Sequence, residues 1–340
     1  MHRNARIVCI LLVALFLVPQ DSAAGWPFRR WRSRSYSSAR GSYSNSGGYT
    51  RIAPKVDPDS ASCRPLQVYY DYELASADDV AFADKIRVFL TLRDEALLEA
   101  GGPIVAEAKI TDVSNSQQTI VRYVPVSLRA PSEGEGKIGV FDITNEEGAE
   151  PIIKPARVYR LFVNLHRASA EYREDSVLGR VPTPYYVATS GASRLDRARQ
   201  RIAMRTFKQF YYTEKGWRSG ERPPIDCHAY YCWATGCCTV GAQNGRALLG
   251  RLFGGRFPYR RGGQIPEIAA EGPIHADYVR QPGHTFMLLA YDPNLHQVWT
   301  MESNFNRTIE VAIRGVRSDW TVGHLEEEHI APGLFEAGAE

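Results

Sequence analysis

The sequence predicts two folded modules in tandem, an all-β sandwich followed by an α+β domain, behind an export signal and a basic arm. Three observations carry this reading. Short runs of alternating apolar and polar residues, parted by Gly/Pro or polar clusters, fill residues 63–190. Near Gly191 the pattern changes to apolar residues three and four apart, and residues 191–330 then mix helical and strand-like segments. Residues 1–62 fit neither pattern, and 331–340 read as a C-terminal tail.

Segment 1–24 reads as an export signal. Arg3 and Arg6 precede a 12-residue apolar run, Ile7 to Val18; Pro19 ends it, and Ser22-Ala23-Ala24 offers small residues for cleavage. Twelve residues make a helix of about 18 Å, too short for a bilayer core of about 30 Å. No comparable run follows, so the mature chain is expected to lack a membrane span and to be secreted, periplasmic or envelope-associated. Segment 25–62 is rich in Arg, Ser, Gly and Tyr and poor in aliphatic side chains, which predicts a disordered arm. Residues 25–60 carry a net +5, whereas the whole chain carries +3. The plain expectation for the arm is a solvated linker; spaced Arg and Trp also suit an anionic surface such as headgroups or an acidic polymer. The small overall charge predicts no nucleic-acid partner.

Seven strands are predicted in the first module. Lys85 to Arg93 and Arg157 to Leu165 alternate most clearly; Leu66 to Leu74, Pro103 to Thr111, Gln118 to Val126, Lys137 to Ile143 and Thr183 to Thr189 are rich in Val, Ile, Tyr and Thr. Their spacing suggests a β-sandwich of immunoglobulin or fibronectin type, with no catalytic cluster, in the role of spacer or binding module. In the second module Ser193 and Asp196 have the spacing of a capping box. Leu195, Ala198, Ile202, Ala203, Phe207 and Phe210 then repeat at helical spacing, so a helix is predicted over 194–212. Residues 217–236, with Gly220, Pro223 and Pro224, read as irregular.

The loss of Cys9 with the signal leaves Cys63, Cys227, Cys232, Cys237 and Cys238 in an oxidising compartment. Five is odd, so one thiol is left over for an intermolecular bridge or a reactive role. Cys227 is expected to pair with Cys232 or Cys237. The irregular gaps around Cys227, His228 and Cys232 do not suit zinc, so no metal and no cofactor is expected. His228 is expected to pack beside Tyr230 and Tyr231, and His324 and His329 to belong to a solvated acidic tail.

Cys238 opens a broadly helical stretch, Thr239 to Leu252. At a helix N-terminus the exposed N–H groups stabilise a thiolate, as a cysteine nucleophile needs. His284 begins an apolar strand to Tyr291; Asp292-Pro293-Asn294 is a turn; Val298 to Asn304 is a second strand. Folded as a hairpin about 292–297, the strands bring His284 opposite position 304, give or take two residues, with Glu302 and Asn304 on one face. Cys238 is the expected nucleophile, His284 the base, and Glu302 or Asn304 the group that orients it.

These residues carry a resemblance. Gly236-Cys237-Cys238-Thr239-Val240-Gly241-Ala242-Gln243-Asn244 resembles the Gly-Gln-Cys-Thr-Trp-Tyr-Ala-x-Asn segment of the CHAP (cysteine, histidine-dependent amidohydrolase/peptidase) family. Gly283-His284 before an apolar strand and Glu302-Ser303-Asn304-Phe305 resemble that family's Gly-His-Val-Ala-Val-Val and Glu-x-Asn-Trp, in the same order. The resemblance covers about residues 225–325. It implies a papain-like α+β fold that hydrolyses amides, most often in peptidoglycan peptides, with Cys238, His284, Glu302 and Asn304 at the site. The other expectation is a non-catalytic envelope protein that binds through its sandwich and keeps the second module as a scaffold.

Overall fold

Along Lys85–Leu92 every second side chain (Ile86, Val88, Leu90, Leu92) is fully buried and those between are partly exposed. One face of a pleated strand covers a core and the other meets solvent. The computed structural model describes residues 49–51, 67–72, 80–99, 101–130, 136–168, 177–182, 184–215, 227–236, 260–303 and 309–336; the expected signal segment, most of the arm, Cys63, Cys237, Cys238 and Asn304 lie outside them.

The strands are β1 (Tyr49–Arg51), β2 (Val68–Tyr70), β3 (Lys85–Leu92), β4 (Ile104–Asp112), β5 (Thr119–Arg129), β6 (Lys137–Thr144), β7 (Val158–Arg167), β8 (Val177–Arg180) and β9 (Tyr185–Ala188), with a short helix α1 (Glu95–Glu99) after β3. From β2 to β8 they form one antiparallel sheet in the order β2-β3-β6-β5-β4-β7-β8, with β9 also on β7. The sheet curls because β5 serves two neighbours: Thr119–Val126 pairs with β4, and Ser127–Arg129 pairs with β6. At this bend Gly139 of β6 has no side chain to place; a Cβ there would lie 2.6 Å from Leu92 Cδ1 and 2.9 Å from Val126 Cγ1. All seven predicted strands are present. The eighth, β8, is four residues long and contains Gly179, too short a stretch to show alternation.

The sheet is followed by α2 (Arg194–Lys215), which begins as the sequence predicts. The Asp196 backbone N–H donates to Ser193 Oγ (2.9 Å) and the Ser193 backbone N–H to Asp196 Oδ2 (3.1 Å), a reciprocal cap. Ala198, Ile202, Ala203 and Phe207 are buried along one stripe. Next come α3 (Cys227–Thr235), β10 (Arg260–Arg261), α4 (Ile265–Glu271), β11 (Tyr278–Gln281), β12 (His284–Asp292), β13 (Gln297–Ser303), β14 (Ile309–Gly315) and β15 (Thr321–Gly323). A second antiparallel sheet runs β1-β14-β13-β12-β11-β15-β10. Side chains of β12 alternate between two cores. Met287 and Leu289 join the large core that includes α2 and α3, whereas Phe286 and Leu288 join a smaller one with Ile265 and Ile268 of α4. The second module is thus a mixed α and β layer structure, as its sequence predicts at that coarse level.

Two expectations need correction. The arm is not wholly without structure: Tyr49–Arg51 pairs with Arg314, Ile313 and Ala312 at the edge of β14, where it supplies partners for backbone groups. The expected tail also packs. Leu334 and Phe335 lie against the large core, the Arg201 Nη1 donates to the Leu334 carbonyl (3.0 Å), and the Arg194 guanidinium sits 4.3 Å over the Phe335 ring. Among the described residues no helix is long and apolar enough to cross a membrane.

Candidate active site

The site lies where the start of α3 meets the start of β12. Cys227, Tyr230, Tyr231 and Ala234 recur at i, i+3, i+4 and i+7, so one face of α3 is committed to the sheet and its first residue comes with it. Tyr231 fixes that placement: its hydroxyl donates to the Ala276 carbonyl (2.7 Å) and its ring meets Tyr278 edge-on at 5.0 Å. Gly236 ends the helix in the left-handed region (φ +64°). Cys227 is therefore the first residue of a nine-residue helix, where the leading N–H groups have no acceptor within the helix. It is a partly exposed free thiol, whereas Cys232 one turn on is buried and disulfide-bonded. The expected pairing of Cys227 with Cys232 or Cys237 is thus corrected.

The β12–β13 hairpin turns where the sequence predicts, with Asp292 opposite Gln297. Its register brings His284 and Glu302 together: His284 Nε2 lies 2.8 Å from Glu302 Oε2. Glu302 is 1 % exposed, and both its oxygens are fully used. Oε1 accepts from Thr300 Oγ1 (2.7 Å) and Arg314 Nε (2.6 Å), and Oε2 accepts from Arg314 Nη2 (2.6 Å) as well as from His284. A fork-on-carboxylate pair of this kind holds its geometry tightly. Arg314 in turn sits 5.0 Å over the Phe286 ring, which keeps the guanidinium in place from the apolar side. With Nε2 committed to the carboxylate, Nδ1 is the ring nitrogen left for Cys227, whose thiol helps to raise the proton affinity of His284.

Electrostatics follow from these contacts. Burial opposes a charged Glu302, but Arg314 and then His284 outweigh it and hold the carboxyl down at about 2. Burial likewise opposes a charged His284, yet its hydrogen bonds to Cys227 and Glu302 prevail and raise it to about 9. At neutral pH the ring is an imidazolium between a sulfur and a carboxylate.

Of the four expected site residues, His284 and Glu302 are brought together, and Cys238 and Asn304 lie outside the described residues. Among the described residues, the sulfur beside His284 is Cys227. The i, i+3, i+4, i+7 pattern beginning at Cys227 was available as a signal, but the Gly and Pro residues just upstream mask it as a loop. His228 also departs from expectation. It is buried, stacks on Tyr278, and bonds through Nδ1 to the Tyr278 hydroxyl (3.0 Å) and through Nε2 to Arg280 Nη1 (2.6 Å). Nor are the C-terminal histidines solvated. His324 Nδ1 meets the buried Asp277 Oδ2 at 2.8 Å, and His329 is buried with Nδ1 accepting from the Glu326 backbone N–H (3.2 Å). The chain matches no family model, no curated protein and no solved structure.

Proposed function

We propose that the protein is an exported cysteine-dependent amide hydrolase acting on peptides, with peptidoglycan stem peptides as the leading substrate class. In this reading the second module is papain-like and CHAP-like, and the curled sheet before it is a sandwich-type spacer or binding module. Cys227 is the nucleophile, His284 the acid–base, and Glu302 the residue that fixes the ring. The single observation that carries the reading is a free thiol at a helix start, beside a histidine whose Nε2 is anchored on a buried carboxylate.

The chemistry balances without further groups. The proton held by His284 is the one the Cys227 thiol has given up; the sulfur so freed adds to the amide carbonyl carbon, and the carbonyl oxygen takes up the electron pair near the leading N–H groups of α3. The His284 proton passes to the leaving nitrogen as the C–N bond breaks, which frees the amine and leaves a thioester. His284, now neutral, takes a proton from water; the hydroxide oxygen adds to the thioester carbon, and C–S cleavage releases the acid. Glu302 stabilises the imidazolium at both stages and does not itself accept the proton.

A zymogram on purified peptidoglycan, run beside hydrolysis of a synthetic stem peptide, tests the assignment. Clearing is expected from the unsubstituted protein and from Cys238→Ala, and a loss of at least about 10³-fold from Cys227→Ala at unchanged melting temperature. Activity that survives Cys227→Ala rejects Cys227 as nucleophile; inactivity of every form towards both substrates favours a retained, non-catalytic scaffold.

A further inference from the structure

A cleft of about 650 Å³, lined from both sheets, opens at the far end of β12 from the reacting pair. At about 3.3 Å per residue the strand carries Tyr291, which lines the cleft, about 20 Å from His284. The walls are fixed to each other. Asp292, wholly buried, accepts at Oδ2 from the Ser116 backbone N–H (3.0 Å) and hydroxyl (2.6 Å), and Asn294 Nδ2 donates to Asn115 Oδ1 (3.1 Å). The space is therefore preformed, and its size suits a small molecule. Part of the lining is apolar: Ile110 of β4 and Ile120 of β5 stand opposite each other, and Ile152 and Ala269 of α4 add to them.

The charged groups of the lining fall into two sets. Arg122 pairs with Glu146 (3.2 Å) and Lys154 with Glu150 (3.3 Å), so those charges are met. Asp112 and Arg157 form no ion pair among the described residues; a single hydroxyl stands between them. Ser114 Oγ donates to Asp112 Oδ1 (2.6 Å) and accepts from Arg157 Nη1 (3.0 Å), and the Ser114 backbone N–H also donates to Asp112 Oδ1 (2.8 Å). Asp112 Oδ2 makes no bond among the described residues, and neither does the Nε and Nη2 edge of Arg157, the two-donor fork that matches a carboxylate. Asp112 is half-buried and Arg157 exposed, so both are open to a ligand. Tyr159 lines the same space. Its oxygen accepts from the Lys154 backbone N–H (2.7 Å), while burial and then the Asp112 charge push its pKa up and keep the hydroxyl proton in place as a further donor.

We propose that this cleft binds a free α-amino acid with an apolar side chain. The carboxylate takes the Arg157 fork and the Tyr159 O–H, the ammonium takes Asp112 Oδ2, and the side chain lies on Ile110, Ile120 and Ile152. Such a ligand carries its two charges on one carbon, which matches a cation and an anion held one hydroxyl apart. A ligand with the carboxylate alone would meet the Asp112 charge uncompensated, and one with the ammonium alone would meet that of Arg157. The site is separate from the Cys227–His284 pair and does not depend on the role of that thiol.

The test is an NMR titration of the full chain with L-leucine, N-acetyl-L-leucine and L-leucinamide, which carry both charges, the carboxylate alone and the ammonium alone. Leucine is expected to bind at least about tenfold more tightly than either blocked form, as the loss of one hydrogen bond to a charged group implies. In Arg157→Gln the affinity for leucine is expected to fall by about tenfold, with that for leucinamide not reduced. Asp112→Asn, which keeps an acceptor for Ser114, is expected to weaken leucine by a similar factor without weakening N-acetyl-leucine. Lys154→Gln, which removes a cation already met by Glu150, is expected to bind leucine as the unsubstituted chain does. Arg157 is an exposed side chain, so its variant decides the matter even if Asp112→Asn lowers the melting temperature. The proposal is overturned by a spectrum that leucine leaves unchanged, by equal affinity for leucine and a blocked form, or by an affinity for leucine that Arg157→Gln does not reduce.

Discussion

His284 carries two supports that raise its proton affinity, the Cys227 sulfur and the Glu302 carboxylate, and burial works against both. Its folded value of about 9 stands above the ordinary 6.5, so its stabilising contribution is complete below about pH 6.5 and is lost as pH rises through about 9. For Glu302 the sign is opposite: its contribution is present above about 4.5 and lost as pH falls through about 2. Turnover that depends on the imidazolium is accordingly expected to decline above about pH 9. Removal of one support tests the arrangement directly. In Cys227→Ala the His284 titration, followed by the NMR shift of its ring protons, is expected to move down from about 9; a midpoint that stays in place means the sulfur is out of contact. The histidine and the carboxylate were legible in the sequence because strand alternation and a turn signal fix hairpin register to within a residue or two. The cysteine was not. Only the tertiary placement of α3 brings the Cys227 sulfur to His284, and that placement is not displayed in the local sequence.

Helix α3 is the element on which the site depends. It starts at the thiol and ends at Gly236, so both ends are specified, yet its nine residues follow a Gly- and Pro-bearing stretch that hides the start. Helix α2 shows the converse. Its twenty-two residues carry a long apolar repeat and a capping box, and both are legible because they are local. The strands β11 and β15 are four and three residues long and owe their form to neighbours in the sheet, which sequence does not display. Gly236 offers the test at this scale. Its φ of +64° disfavours any side chain, and a Cβ would lie 2.6 Å from Ala331 Cβ. Gly236→Ala is expected to destabilise the protein by about 1–2 kcal/mol from the backbone conformation alone, with further loss from the contact. Thermal unfolding measures it, and a melting temperature equal to that of the unsubstituted protein speaks against the cap.

Across the whole molecule, α2 joins the two sheets through adjacent residues. Gln200 Nε2 donates to the Ala81 carbonyl (2.6 Å) beside the first sheet. Arg199, 1 % exposed, reaches the second: Nη1 donates to Asp277 Oδ1 (2.6 Å) and the His275 carbonyl (2.7 Å), and Nη2 to the Leu325 carbonyl. Asp277 is wholly buried, so Arg199→Met leaves its charge with only His324 and the Leu325 backbone N–H as partners, at an expected cost of about 3 kcal/mol in denaturant titration. A smaller loss in Arg199→Met with Asp277→Leu than in the single variant identifies the under-compensated Asp277 charge as the cause. Sequence reading placed the strand-rich part before the mixed α and β part but gave no sign of how α2 joins the two sheets, because these buried bonds link positions far apart in the chain.

A large core runs without a break from Val68 to Ile330, and α2 has neighbours on both sides of it. Tyr186 of β9 stacks on Phe207 at 5.6 Å, and the Ala188 backbone N–H points at Met204 Sδ (3.3 Å). Gene shuffling that brought the rear half to a new host without the front would therefore strip an oily helix of its cover. A rear half that stood alone would need a more polar α2 to be at ease in water.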